Sequence, residues 1–249
     1  MKTMLFMAVL AFTGVSASAQ NEETRNVKNF TNIEVQNGIE VIFTHSDTEL
    51  VSVTSSEKDN LNYVVTKCKG KVLKVYINEE AENATSKVSE KIIVYISDNN
   101  TSAITASSGA VVKVSNQINV PQLTVILKTG ATFSGKINTT EKCTIKAYSG
   151  SGFKGSIITG KLKTDITEGA YVQLNGHAEK ASVFCSGGTL AADKFNCDNV
   201  EIWARRMSAI AINVEDSIKI DTDKTSAVTY FGHPDEIYFG DDTFALRKN

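Results

Sequence analysis

Three residues separated along the chain carry side chains suited to holding a ligand: Phe184, Trp203 and Arg205. Phe184 and Trp203 are 19 residues apart, and Arg205 stands two positions beyond the indole. Aromatic faces can receive a sugar ring or a partner's apolar patch, and a guanidinium beside them adds directed hydrogen-bond donors. That chemistry is binding without turnover. Catalysis asks for more, an acid and a base or several carboxylates around a cation, all on one face. The acids Asp165, Glu168, Glu201, Asp221 and Asp223 are instead interleaved with Lys146, Lys163, Arg206 and Lys219, as cross-strand charge pairs would be. His45, His177 and His233 are remote from one another, and neither a Gly-x-Ser-x-Gly elbow nor a His-Glu-x-x-His pair occurs. Asp235, Glu236, Asp241 and Asp242 match no calcium-loop spacing. The sequence therefore predicts no catalytic residue, no metal ligand and no cofactor.

One further motif, "YSGSGFKGSI" from Tyr148 to Ile157, spaces Gly150, Gly152 and Gly155 as a dinucleotide fingerprint does. Such a fingerprint needs a helix opening at its last glycine, whose free N–H groups hold the pyrophosphate. The residues after Gly155 read "SIITGKLKTDIT", β-branched and without helical apolar spacing. The glycines have another origin.

Aligned on Gly109, Gly130, Gly150, Gly169 and Gly188, five stretches superpose at intervals of 21, 20, 19 and 19 residues, and two more copies centre on Met207 and Thr225. Seven residues before each centre stand Leu123, Cys143, Leu162, Ala181, Val200 and Ile218. Five before stand Val125, Ile145, Thr164, Val183, Ile202 and Ile220; three after stand Phe133, Phe153, Val172, Ala191, Ile210 and Val228. The intervening columns are mostly polar. Alternation along a copy is a strand period, and agreement down a column means that like positions stack. The prediction is an all-β, single-domain parallel β-helix, with rungs of about 19 to 21 residues and a glycine at each corner to take a positive φ. In that register Phe184 and Trp203 stack one rung apart on the surface beside Arg205.

Residues 27 to 100 are rich in strands without the glycine period, and Asn37-Gly38 is a hairpin or tight-turn signal. This region is expected to cap the solenoid, which otherwise ends in an open edge. The polar stretch from Asn78 to Glu90 reads as a loop.

The chain opens "MKTMLFMAVLAFTGVSASAQ", a pattern of basic start, short apolar run and Ala17-Ser18-Ala19 that reads as a signal peptide cut after Ala19. The position after the cut is Gln20 rather than the cysteine of a lipoprotein, and no apolar run reaches the roughly 18 to 20 residues of a membrane span. Export to the periplasm, outer surface or medium is expected, with no integral membrane segment once the leader is gone. Without Lys2 there are 25 basic against 28 acidic side chains, and no basic run exceeds Arg205-Arg206 or Arg247-Lys248. Nucleic acid is not an expected partner. Cys68, Cys143, Cys185 and Cys197 match no zinc spacing and are expected as isolated buried thiols, with a Cys185–Cys197 bridge possible.

The run "FTNIEVQNGIEVIFTHSDTELVSVTSSEKDNLNYVVTKCKGKVLKVYI", the repeated Ser-Gly-like corners and the closing "VTYFGHPDEI" together resemble the head GIN domain family, labelled "putative autotransporter adhesin". The resemblance spans about residues 27 to 240. It implies an exported β-helical protein whose biochemical activity is not established. The organisation expected is a leader over 1–19, a flexible start over 20–26, the domain over 27–240 and a tail over 241–249. Within the domain, residues 27–100 form the cap and first strands, and residues 101–232 form the cornered rungs. The expected function is an adhesin-like module without enzymatic activity that contacts a surface polysaccharide or protein through Phe184, Trp203 and Arg205. A polysaccharide-degrading enzyme and a purely structural envelope protein are the competing readings.

Overall fold

The computed structural model describes residues 21–78, 91–241 and 243–248. The expected signal peptide, most of the polar loop and Asp242 lie outside the described residues. The strands in chain order are β1 (Asn21–Thr24), β2 (Asn32–Val35), β3 (Glu40–His45), β4 (Leu50–Ser55), β5 (Val64–Lys69), β6 (Val72–Ile77), β7 (Ile93–Asp98) and β8 (Ala103–Ala106). Then come the long strands β9 (Val111–Leu127), β10 (Thr132–Ala147), β11 (Gly152–Thr167), β12 (Tyr171–Ser186), β13 (Thr189–Arg205) and β14 (Ala209–Thr222), and finally β15 (Ala227–Phe231), β16 (Glu236–Phe239) and β17 (Ala245–Lys248). From β9 to β15 each strand pairs in parallel with the next, as rungs of a solenoid of about eight turns.

The core is the set of inward columns. Val125, Ile145, Thr164, Val183, Ile202 and Ile220 are register partners down the stack, and all are buried. Within the column after the corner, Phe133 and Phe153 stack with centroids 5.0 Å apart and planes 5° from parallel. One column differs from the sequence reading. Leu190, not Ala191, pairs with Val172 and Ile210 and is buried. The corner Ser186-Gly187-Gly188 is one residue shorter than Thr167-Glu168-Gly169-Ala170, and since side chains alternate faces, a one-residue slip turns the next strand over.

The corners explain the glycines. Ser149 and Gly150 have φ of 51° and 70°, and Gly150 N–H donates to the Glu168 carbonyl of the next rung at 2.9 Å. Asn37-Gly38 repeats this conformation, with Gly38 donating to Ser108. It is therefore a corner of the same stack rather than a hairpin, displaced in sequence because β4 to β7 intervene before the next corner. Gly152 and Gly155 lie within strand β11, and no helix comes after them, so the nucleotide fingerprint has no structural basis.

At the N-terminal end parallel and antiparallel pairing mix. β2 and β3 already join the parallel stack through β8 and β9, while β4 runs antiparallel to β7, and β5 and β6 form a hairpin. Residues expected as a flexible start and a tail both add strands: β1 pairs antiparallel with β4 and β17 parallel with β15. In each case an edge strand offers unpaired backbone groups that the terminus satisfies. All four cysteines are free; Cys143, Cys185 and Cys197 face the core, and Cys68 is only half-buried.

Candidate binding face

Each coil contains a straight run just before its corner, and there the register is unbroken. Lys142 to Ala147 pairs residue for residue with Lys161 to Ile166, then with Lys180 to Cys185, then with Asn199 to Ala204. Odd members of these runs point outward because even ones fill the core. The outward grid is thus fixed by the same alternation that buries Ile145 and Val183.

One outward column reads Lys146, Asp165, Phe184, Trp203 and Asp221 from rung to rung. The structure therefore brings Phe184 and Trp203 together as direct cross-strand partners. Phe184 is 42% exposed, and Trp203 is half-buried. The indole is covered more than the phenyl ring, and the two do not stack as the sequence reading expected; the stacked ring pair among the described residues is the internal Phe133–Phe153.

Two cross-rung clamps bracket the aromatic pair. On one side the Tyr148 hydroxyl donates to Asp165 Oδ2 at 3.0 Å; burial and this carboxylate together push the phenol up to about 12. On the other, Arg205 donates to the carbonyls of Ala204 and Asp221 at 3.0 and 2.8 Å, and to Asp221 Oδ2 at 2.9 Å. All three bonds come from the two terminal guanidinium nitrogens. Arg205 thus ties two rungs while standing at the rim of the aromatic pair.

Two further acids are engaged at the corners. Glu168 accepts from the Ser149 hydroxyl, and Asp223 accepts from the Arg206 and Thr225 amides and the Thr225 hydroxyl. The Arg206 amide leads in holding the Asp223 carboxyl well below the usual carboxylate range. These contacts let the corner at Arg206 and Met207 adopt φ of 57° and 58° without a glycine. Among the described residues no three His, Cys, Asp or Glu side chains converge as metal ligands. His177 lies 3.7 Å from Asp198, but the neighbouring thiol of Cys197 faces the core, where burial pushes it up to about 12. The pair has no thiolate to activate.

The structure also assembles what a search for contiguous basic runs misses. Lys142, Lys161 and Lys180 are register partners on three successive rungs, all exposed. Together with Lys163 and Lys219 they line a groove of about 520 Å³ whose one acid is Glu201. The groove occupies the same sheet face as Phe184 and Trp203, with Ser182 and Glu201 in the column between. The signal was present in the sequence, as a lysine recurring every 19 residues in one column.

No helix among the described residues is long and apolar enough to cross a membrane. The sequence matches no protein of curated function. Among solved structures, one of a putative adhesin from Parabacteroides distasonis ATCC 8503 superposes with a TM-score of 0.80 at 17% identity, over 92% of this chain and 97% of that one. A putative adhesin from Parabacteroides merdae ATCC 43184 gives 0.78 at 16% identity, over 92% and 96%. A putative lipid binding protein from Parabacteroides distasonis ATCC 8503 gives 0.73 at 13% identity, over 92% and 97%. At such identities the likeness is one of fold. The family model described as "Putative auto-transporter adhesin, head GIN domain" matches residues 29–234, and the chain belongs to that family.

Proposed function

We propose that this protein is an exported adhesin-like module without enzymatic activity, which grips a surface polysaccharide through the outward column carrying Phe184 and Trp203, with Arg205 at its rim. One observation carries the reading: the two aromatics are direct cross-strand partners on the sheet whose register is unbroken. A linear ligand needs equally spaced contacts, and adjacent strands supply them about every 4.8 Å. The leader-like start supports export, and the family's description as adhesins supports binding. Against turnover, Asp165, Glu168, Asp221 and Asp223 each accept hydrogen bonds from neighbouring side chains or amides.

A glycan array probed with wild type and Trp203→Ala tests the reading, with a pull-down on surface proteins in parallel. Loss of one aromatic contact is expected to cost on the order of 1 kcal/mol or more, roughly five-fold in affinity. Capture of a protein with no glycan retained points to a protein partner instead. Equal glycan binding by the variant removes Phe184 and Trp203 from the site.

A further inference from the structure

The lysine column is the longest run of like charges in direct register among the described strands. Most other charged side chains that meet across the chain are of opposite sign: Lys74 pairs with Glu34 at 3.2 Å, Glu40 with Lys91 and Lys113 at 3.0 Å each, and Arg205 with Asp221 at 2.9 Å. Lys67 also faces Lys74 in the β5–β6 hairpin, but Glu34 sits beside Lys74 there. Burial alone would raise the Glu40 carboxyl, but its two ammonium partners overcome this and hold it below its ordinary value. Lys142, Lys161 and Lys180 do the reverse. They place three like charges in direct register, which is destabilising between adjacent strands, and none of them is in an ion pair among the described residues. Glu141, next in sequence, accepts from Gln122 on the neighbouring rung instead. Three like charges in one exposed column, with no carboxylate paired to any of them among the described residues, have the electrostatic form of an anion site.

The geometry narrows the anion. The lysines succeed one another along the solenoid axis at one per strand spacing, about 4.8 Å, which is close to the rise of one sugar residue along an extended polysaccharide. A lone phosphate would use one or two of them. An extended chain bearing a negative charge on successive sugars would use all three, with Lys163 and Lys219 beside it in the groove. Polar groups for sugar hydroxyls are there too, from the Ser182 hydroxyl and the Asn199 amide nitrogen, the Asn199 Oδ1 being held by the Ser217 hydroxyl at 2.6 Å. The aromatic pair lies two outward columns away on the same sheet, about 13 Å along the strands, a gap that several sugar residues of a chain crossing the face obliquely would span.

We propose that the ligand of this face is an acidic polysaccharide, whose carboxylate or sulfate groups sit on the ladder of Lys142, Lys161 and Lys180. The proposal rests on the polysaccharide-binding reading above and specifies its ligand class. A chain-like polyanion satisfies both halves of the face, since the ladder neutralises its charges while Phe184 and Trp203 pack on its rings.

Affinity electrophoresis of the purified protein through gels containing polygalacturonate, fully methyl-esterified polygalacturonate or dextran sulfate tests this, with phosphatidylglycerol vesicle flotation alongside. Expected are retardation by both acidic polymers, its loss at high salt, and a drop of at least ten-fold on methyl esterification, which removes the charge and keeps the backbone. The triple variant Lys142→Gln, Lys161→Gln, Lys180→Gln is expected to lose acidic-polymer binding by at least ten-fold with an unchanged circular dichroism spectrum. Lys161→Gln alone, at the middle rung, is expected to lose part of it. Equal retardation by acid and ester, or a triple variant that binds like wild type, overturns the ladder; if Trp203→Ala still weakens binding in that case, the aromatic reading stands alone. Binding to vesicles without retardation by either acidic polymer overturns the proposal in favour of a lipid surface. Retardation by none of the probes overturns it outright.

Discussion

The two sides of the glycine corner make an instructive pair, because they share a core and differ in everything they show to solvent. After the corner, outward positions are Thr132, Gly152, Tyr171, Thr189 and Ala209 in one column, and Ser134, Lys154, Gln173, Ala191 and Ala211 in the next. Most are small and neutral. The register there slips between Ser134 and Lys136, between Gln173 and Asn175, and between Ala192 and Asn196. Before the corner, the register holds through Lys142–Ala147 and its partners, and outward positions carry lysines, aromatics and clamped acids. Burial cannot tell the sides apart, since both inward sets are equally closed. What separates them is regular spacing combined with unusual chemistry, and only the side before the corner has both.

The largest expected effect tests the slipped side, where backbone conformation rather than column chemistry decides. Gly176 has φ of 111°, and an added Cβ would meet the Ile157 carbonyl oxygen at 2.1 Å. Gly176→Ala is expected to cost about 3 kcal/mol or more in a denaturant melt. Gly150→Ala sits at a corner in open space, so only its positive φ is penalised, at about 1 kcal/mol. If the two variants lose the same stability, the slipped sheet does not depend on its glycine for room.

The second comparison concerns binding. Tyr171, on the side after the corner, is 42% exposed, the same as Phe184. Tyr171→Ala is expected to leave polysaccharide affinity unchanged, whereas Phe184→Ala loses roughly five-fold, on the order of 1 kcal/mol. Equal losses, read by calorimetry, would mean that exposure alone rather than the unbroken sheet defines the site.

Much of this arrangement was legible in the sequence because columns repeat at nearly constant spacing. Phe184 and Trp203 were found that way, as were the buried columns of Leu123 and Val125. The lysine ladder repeats just as regularly but forms no contiguous basic run, because a solenoid builds its patches across rungs. Leu190 takes the inward place that the spacing from Gly188 gives to Ala191, because corner length is set by backbone geometry and this corner is one residue shorter. Asn37-Gly38 was separated from its fellow corners by β4 to β7, and a period search does not cross such an insertion. The clamps from Tyr148 and Arg205 were invisible, since a side chain's partner on the next rung depends on its reach as well as its column.

Smaller effects sharpen the account of the corners and core. Met207, 79% exposed with φ of 58°, stands where other corners carry glycine, so Met207→Gly is expected to raise stability by about 1 kcal/mol. No gain in the melting midpoint would mean that the Asp223 contacts already relieve the strain. Smaller still is Thr164→Val. The Thr164 hydroxyl is fully buried among apolar partners with no hydrogen bond, and its removal is expected to stabilise by roughly 1 kcal/mol or less. A loss of stability would reveal a hydrogen bond made by that hydroxyl in solution.

The most direct measurement uses a property of the composition: Trp203 is the one tryptophan in the chain, so indole emission reports on the proposed site and nowhere else. Titration with polygalacturonate, in parallel with calorimetry on the same sample, is predicted to give a saturable change in Trp203 emission with the same midpoint as the heat. Tyr171→Ala should leave this curve in place, and the triple lysine variant should shift it at least ten-fold to higher ligand. Binding seen by calorimetry with no change in Trp203 emission would contradict the account, because the ligand would then occupy another face of the solenoid.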